Sequence, residues 1–447
     1  MGKSKKEKQQ AYFFDNKALL ALILPLVVEQ LLAVMVGMAD SIMIASVGEA
    51  AVSGVSLVDQ IMVLLINAFA ALATGGAVVA GQFLGQDRKE EACKSATQMV
   101  WFITICAIGI TVLVYLGKSF ILHTVFGKID QDVMHHADVY LLIVAASIPF
   151  LALHNAGAAI FRTMGNSKVT MQISIIMNII NIGGNALLIY GFHRGTEGVA
   201  IPTLVSRITA AVIVIVMLCD EKRILHIERT WHYRINWEMV KKILSIGVPN
   251  GLENSMFQLG KLAIQSSVST LGTVAIAAQA MTSILENLNG IAAIGVGVGL
   301  MTIVGQCIGA GRKDEAVYYI KKLCMIAEVI LIISCLSVFV LTKPITILGG
   351  MEKESADMCI HMTMWITIVK PLVWIMAFIP GYGMRAAGDV KFSMLTSCTT
   401  MWLCRFCLSV FMIRVVGVGA MGVWIGMFSD WTLRGIIFRG DFIAESG

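Results

Sequence analysis

The sequence predicts an all-α polytopic membrane protein: twelve transmembrane helices in two six-helix lobes related by pseudo-two-fold symmetry. Three observations carry that prediction. The chain of 447 residues is 57% hydrophobic and 14% charged, with a mean hydropathy of +0.80; soluble domains are about 45–50% apolar and about 25% charged. Long apolar runs alternate with short polar breaks. The second half of the chain repeats the first.

Apolar runs place helices at about 18–47, 52–82, 94–117, 135–161, 169–191, 197–218, 242–270, 273–305, 317–342, 355–384, 391–413 and 419–438. The first follows a basic stretch, MGKSKKEKQQ. It is too long for a signal-peptide core and has no small-residue cleavage site, so it is expected to stay in the protein. Several runs exceed the roughly 20 residues needed to cross a bilayer, which implies tilt or projecting ends.

Charge sets the orientation. With the N-terminus inside, 24 of the 34 Lys and Arg residues fall in inner segments, Arg434 among them. Six fall outside, and Arg207, Lys261, Lys370 and Arg405 lie within helices. That asymmetry predicts cytoplasmic termini and an inner or plasma membrane location. The long polar stretch Asp220–Lys242 is basic and aromatic. It reads as an interfacial linker with Trp231, Tyr233 and Trp237 at headgroup depth, separating lobes at 1–219 and 243–447.

GQFLGQDRKEEA at 81–92 matches GQCIGAGRKDEA at 305–316, an offset of 224. The same offset relates Pro25 to Pro249, Glu29 to Glu253 and Gly48 to Gly272, and Arg162, Gly165 and Lys168 fall on Arg385, Gly388 and Lys391 at 223. An even helix count per half gives both halves the same orientation. They are therefore parallel repeats, the arrangement of a transporter whose lobes rock about a central cavity. The loop residues Gly81, Gln82 and Arg88 are expected to shape turns, and the C-x-x-C of Cys404 and Cys407 to pack in a helix.

These paired G-Q-x-x-G and R-x-x-G-[ND]-x-K loops, with Pro25 and Asp40 in the first helix, resemble the multidrug and toxic compound extrusion (MATE) family over nearly the whole chain. The resemblance implies a secondary active exporter. Such proteins expel small organic cations and other amphiphilic drugs in exchange for entering Na⁺ or H⁺, by alternating access. It implies no cofactor beyond that ion.

Asp40 is the residue the chemistry turns on, because a carboxylate inside a span needs a cation or a proton. It lies about seven residues from the outer end of its helix, or roughly 10 Å. Asn185 and Thr203 lie at matching depth on the fifth and sixth helices, and Asn181 precedes Asn185 by one turn. The four can gather into a set of hard oxygen ligands suited to Na⁺ or a proton. The resemblance points to the same place, with Asp40, Asn181 and Thr203 on the family's N-lobe cation positions and Asn185 where relatives have a second Asp. Asp59 could add a second charge, Asn178 is expected to bind a neighbouring helix, and 40 + 224 falls on Ile264, so Asp40 has no repeat partner. In the C-lobe, Lys261 and Glu286 sit at depths that allow an ion pair, or alternatively a second acidic or substrate site. Glu253 reads as structural, and Glu328 has no evident partner.

The expected function is antiport of amphiphilic, cationic organic compounds against Na⁺ or H⁺. Expected partners are those compounds and membrane lipids, with no nucleic acid, and the chain is expected to act as a monomer. A lipid-precursor or polysaccharide flippase is the alternative. An enzyme is not expected, since only His154 and His361 lie in helices and no H-E-x-x-H or G-x-S-x-G occurs.

Overall fold

The computed structural model describes residues 14–125, 127, 129–228 and 234–446. Thirteen long helices carry the architecture: α1 (Asn16–Ala45), α2 (Glu49–Gly85), α3 (Lys89–Leu116), α4 (Gln131–Ala145), α5 (Ile148–Thr163), α6 (Ser167–Gly191), α7 (Glu197–Leu218), α8 (Trp237–Val268), α9 (Thr273–Gly309), α10 (Lys313–Leu348), α11 (Lys353–Ala386), α12 (Val390–Val416) and α13 (Met421–Ser446). Among the described residues there is no strand.

Nine of these are long and apolar enough to cross a membrane, and ten spans result when α4 and α5 are taken as one span broken by 49°. The remaining two, α8 and α13, are 32 and 26 residues long. They fall short in hydropathy because polar residues such as Lys261, Asp430 and Arg434 interrupt them. Counted as spans as well, they bring the total among the described residues to twelve. The break between α4 and α5 comes where Pro149 enters the first turn of α5. Proline has no N–H to continue the preceding ladder but is tolerated at a helix start, so one expected helix becomes two.

The chain divides into two compact units. One spans Lys17–Gly251; the other holds Leu252–Gly447 with the segment ending at Asn16. The division falls inside α8, not in the polar stretch before it. Part of that stretch is packed onto the first unit: Leu225 is buried, Cys93 Sγ lies 3.7 Å from His226 Nδ1, and Gln98 both donates to Arg234 O and accepts from Asn236 N. Trp237 is exposed at the start of α8, and Trp231 and Tyr233 lie outside the described residues.

The repeat extends to backbone detail. Helices α2 and α9 are both 37 residues long and both follow a glycine with positive φ, Gly48 and Gly272. Arg88 and Arg312 precede α3 and α10 with nearly identical dihedrals, φ −103°, ψ 68° and φ −96°, ψ 65°. In α6 and α12 the buried faces align at an offset of 223 early, pairing Thr170 with Ser393 and Ile173 with Thr396. Within the π-helical turn Met401–Leu408 and after it they align at 224, pairing Asn181 with Arg405 and Ile189 with Ile413. A π-turn accommodates one extra residue, which accounts for the change.

Each unit also carries the same staple. Arg162 Nη2 donates to Glu29 Oε1 at 2.9 Å, with Thr170 Oγ1 donating to Oε2 at 3.0 Å. In the second unit Arg385 Nη2 stands 3.5 Å from Glu253 Oε1. Glu29 and Glu253 therefore tie helices within their own units. Arg162→Ala should lower unfolding stability in detergent by about 2 kcal/mol, since it strands a buried carboxylate on a partly exposed partner. The added substitution Glu29→Gln should restore part of that loss in the same thermal melts.

Candidate functional site

In the first unit, α1, α6 and α7 bring the expected residues together around Asp40. Asn181 Nδ2 donates to both carboxylate oxygens at 3.2 Å, and Asn185 Nδ2 donates to Oδ1 at 2.6 Å. Thr203 Oγ1 sits 3.5 Å from Asn181 Oδ1 and donates to Val199 O at 2.9 Å. Helix geometry explains the gathering: Asn181 and Asn185 are one turn apart on the buried face of α6. Gly184 lies against Pro202, where a Cβ would meet the ring at 2.8 Å, so α6 and α7 approach closely enough for Thr203 to reach Asn181. Asn178 donates to Leu32 O at 3.2 Å and binds α1 to α6.

The amides present N–H groups to an ionised carboxylate. The carbonyl oxygen of Asn185 is buried and has no hydrogen-bond partner. An amide that rotates about its last bond exchanges donor for acceptor, so the donor set fits either an ionised, amide-held carboxylate or oxygen ligation of a small cation.

A second layer extends the site on α2, α4, α5 and α7. Tyr140 Oη donates to Asp59 Oδ1 at 2.9 Å. Arg207 Nη1 donates to Ser147 Oγ at 2.8 Å, at the break between α4 and α5. Its charge acts on both Asp40 and Asp59 without closing to ion-pair distance. The cluster thus holds two carboxylates and one resident guanidinium. Tyr140 and Ser147 were not singled out in the sequence, and Arg207 was noticed only as an intrahelical charge.

The second unit is built differently. Glu286 is paired with Lys370, whose Nζ lies 2.7 Å from Oε1, 3.0 Å from Glu286 O and 2.6 Å from Asn289 Oδ1. The ammonium also faces the Trp374 ring at 5.1 Å and occupies the space left by Gly290. Lys261 forms no ion pair with Glu286: its side chain is exposed, whereas Lys370 is almost fully buried beside the carboxylate. Depth along a helix allowed the first pairing, but neighbouring faces of α9 and α11 decide the actual one.

Beside it, Asp430 is completely buried between Arg434, at 3.1 and 3.2 Å, and Arg405, at 3.2 Å. Both guanidiniums stack on Phe257, at 5.5 Å for Arg405 and 4.8 Å for Arg434. Arg434, expected among the cytoplasmic charges, is therefore an interior residue. Its i, i+4 spacing from Asp430 within an apolar helix was the available signal. Glu328 on α10 is partly exposed and makes no ion pair among the described residues.

Two repeated lobes of spanning helices, with costly charges gathered inside each, define a multi-pass membrane transporter. A family model described as MatE matches residues 25–187 and 249–411, two matches offset by 224. The chain belongs to the MatE family of membrane transporters. It is 27% identical over 429 residues to the uncharacterized transporter YisQ of Bacillus subtilis (strain 168), covering 94% of this chain and 92% of that one. It is 23% identical over 428 residues to a probable multidrug resistance protein, NorM, of Thermotoga maritima, covering 95% and 90%. A solved outward-facing multidrug resistance MATE family transporter of the MOP superfamily superimposes with a TM-score of 0.90 at 17% identity, covering 96% of each chain.

Asp430→Asn should be the most damaging single change in the second unit. It leaves two buried guanidiniums without their carboxylate, at a cost of about 4 kcal/mol. The expected result is a strong fall in melting temperature of the purified protein, or failure to accumulate in the membrane.

Proposed function

We propose that this chain is a secondary active antiporter. It exports small amphiphilic organic compounds by alternating access, in exchange for one Na⁺ or H⁺ taken at Asp40. The observation that carries this reading is a half-buried carboxylate in a spanning helix, held only by neutral amides, with the buried carbonyl oxygen of Asn185 beside it. Such a carboxylate is costly in a bilayer unless it meets a cation or proton. Asn181, Asn185 and Thr203 supply the oxygen donors, and Asp59 is the auxiliary charge. Names given to relatives, such as multidrug resistance protein, support small organic compounds as cargo.

Organic cations, which the resemblance implies, would meet their opposite charge at Asp40 and Asp59 and compete with the coupling ion there. Coupling then follows from differential affinity: each ligand favours the state that binds it better. The chain would act as a monomer in the cell membrane with both termini cytoplasmic, as the distribution of Lys and Arg supports.

Asp40→Asn should abolish gradient-driven uptake of substrate into inverted vesicles, the equivalent of efflux from the cell, while the purified protein keeps its melting profile. Imposing a Na⁺ gradient and a pH gradient separately identifies the ion. Uptake in the variant equal to wild type under either gradient would overturn the assignment.

A further inference from the structure

The repeat allows the second unit to be compared with the coupling site position by position. Asp40 corresponds to Ile264, which is buried in an apolar cluster with Val268, Ile413 and Val423. Asn181 corresponds to Arg405 within the π-turn of α12, and Asn185 to Ser409 immediately after it, both buried. Gly37, one turn before Ser41 on α1, corresponds to Lys261. The acid has been lost at this place and two cations have been gained.

The surrounding charges do not cancel that gain. Lys261, Lys370, Arg405 and Arg434 face two carboxylates, Glu286 and Asp430. Lys370 takes up Glu286, and the two guanidiniums share Asp430, so neither carboxylate is left for an incoming cation. Lys261 lies one helical turn from Phe257, the ring on which both guanidiniums stack. It is exposed and has no ion pair among the described residues. Among nearby groups, Arg405 Nε, Asn289 Nδ2 and Trp431 Nε1 are buried donors without acceptors, although Glu253 Oε2, one turn before Phe257, is a buried acceptor without a donor. A net charge of about +1 buried among spanning helices, with the exposed Lys261 adding a second beside it, is expensive without a counter-anion, and unpaired buried donors add to the cost.

We propose that the second unit holds a binding site for the oxyanion of an amphiphile, a carboxylate or sulfonate, with Lys261 and the Arg405 Nε–H as its recognition groups. Phe257 supplies an aromatic wall. The substrate class of the exporter therefore includes compounds bearing an acidic group, alone or beside a cationic one. This extension to cargo rests on the antiporter reading above; the binding site itself does not.

The test is equilibrium binding without any gradient, so failure of ion coupling and failure of this site are read separately. Full-length protein in phosphatidylcholine nanodiscs is titrated with dansylglycine and with its uncharged amide, dansylglycinamide, by energy transfer from tryptophan. The carboxylate should bind about tenfold more tightly than the amide, the ratio expected for roughly 1.4 kcal/mol. Lys261→Gln should remove most of that preference without changing amide binding, and Lys261→Arg should keep it. Equal affinity of the two ligands in the wild type overturns the proposal, as does a preference that survives Lys261→Gln. Lys261 is exposed and unpaired, so its substitution leaves the buried network and the fold in place.

Discussion

The cost of placing a carboxylate among membrane-spanning helices is the constraint from which the rest of the interior follows. The protein meets it in two ways. Asp40 is held by neutral amides, which satisfy its oxygens but leave its charge uncompensated at contact distance. Asp430 and Glu286 are met by guanidinium and ammonium groups at about 3 Å. A charge satisfied by hydrogen bonds alone stays available to a mobile cation, whereas one locked in a buried ion pair does not. Equivalent scaffolds thus hold one carboxylate by amides alone and two others in ion pairs.

The scaffold itself is nearly indifferent to that divergence. Glycine caps at Gly48 and Gly272 are repeated along with the Glu–Arg staples and the dihedrals at Arg88 and Arg312. The glycines and the arginines lie at helix ends, the two glutamates lie within α1 and α8, and together they fix packing within each unit. The differences lie in the later part of the spans, where Asp40 gives way to Ile264 and Asn181 to Arg405. Geometry is shared, and polarity is what the two halves have exchanged.

Much of the first site was legible in the sequence because all its members announced themselves by type and depth. Asp40, Asn181, Asn185 and Thr203 are polar residues in apolar runs, and counting 1.5 Å per residue placed them at one level. Counting gives depth but not azimuth. That is why Lys261 looked like the partner of Glu286 when Lys370, on another helix at a compatible level, holds that place. Arg434 was assigned to a cytoplasmic end because charge near a helix terminus usually belongs there, yet α13 continues to Ser446 and buries it. The expected linker at 220–242 and the division of the chain inside α8 differ for a related reason. A polar stretch looks like a linker, but Leu225 and the Gln98 hydrogen bonds pack it onto the first unit.

Arg207 deserves a place in the electrical description of transport. With both carboxylates ionised, Asp40, Asp59 and this guanidinium leave the first unit's interior with one net negative charge. On the proposed reading, a single monovalent cation brings it to neutrality. The ion-loaded form then reorients without moving charge through the field, and the charge carried in the other half-cycle is set by the exported compound bound in its place. Each charge crossing the full potential is worth about 2.3 kcal/mol per 100 mV. A fixed arginine therefore sets the charge with which the ion-loaded half of the cycle crosses the membrane voltage.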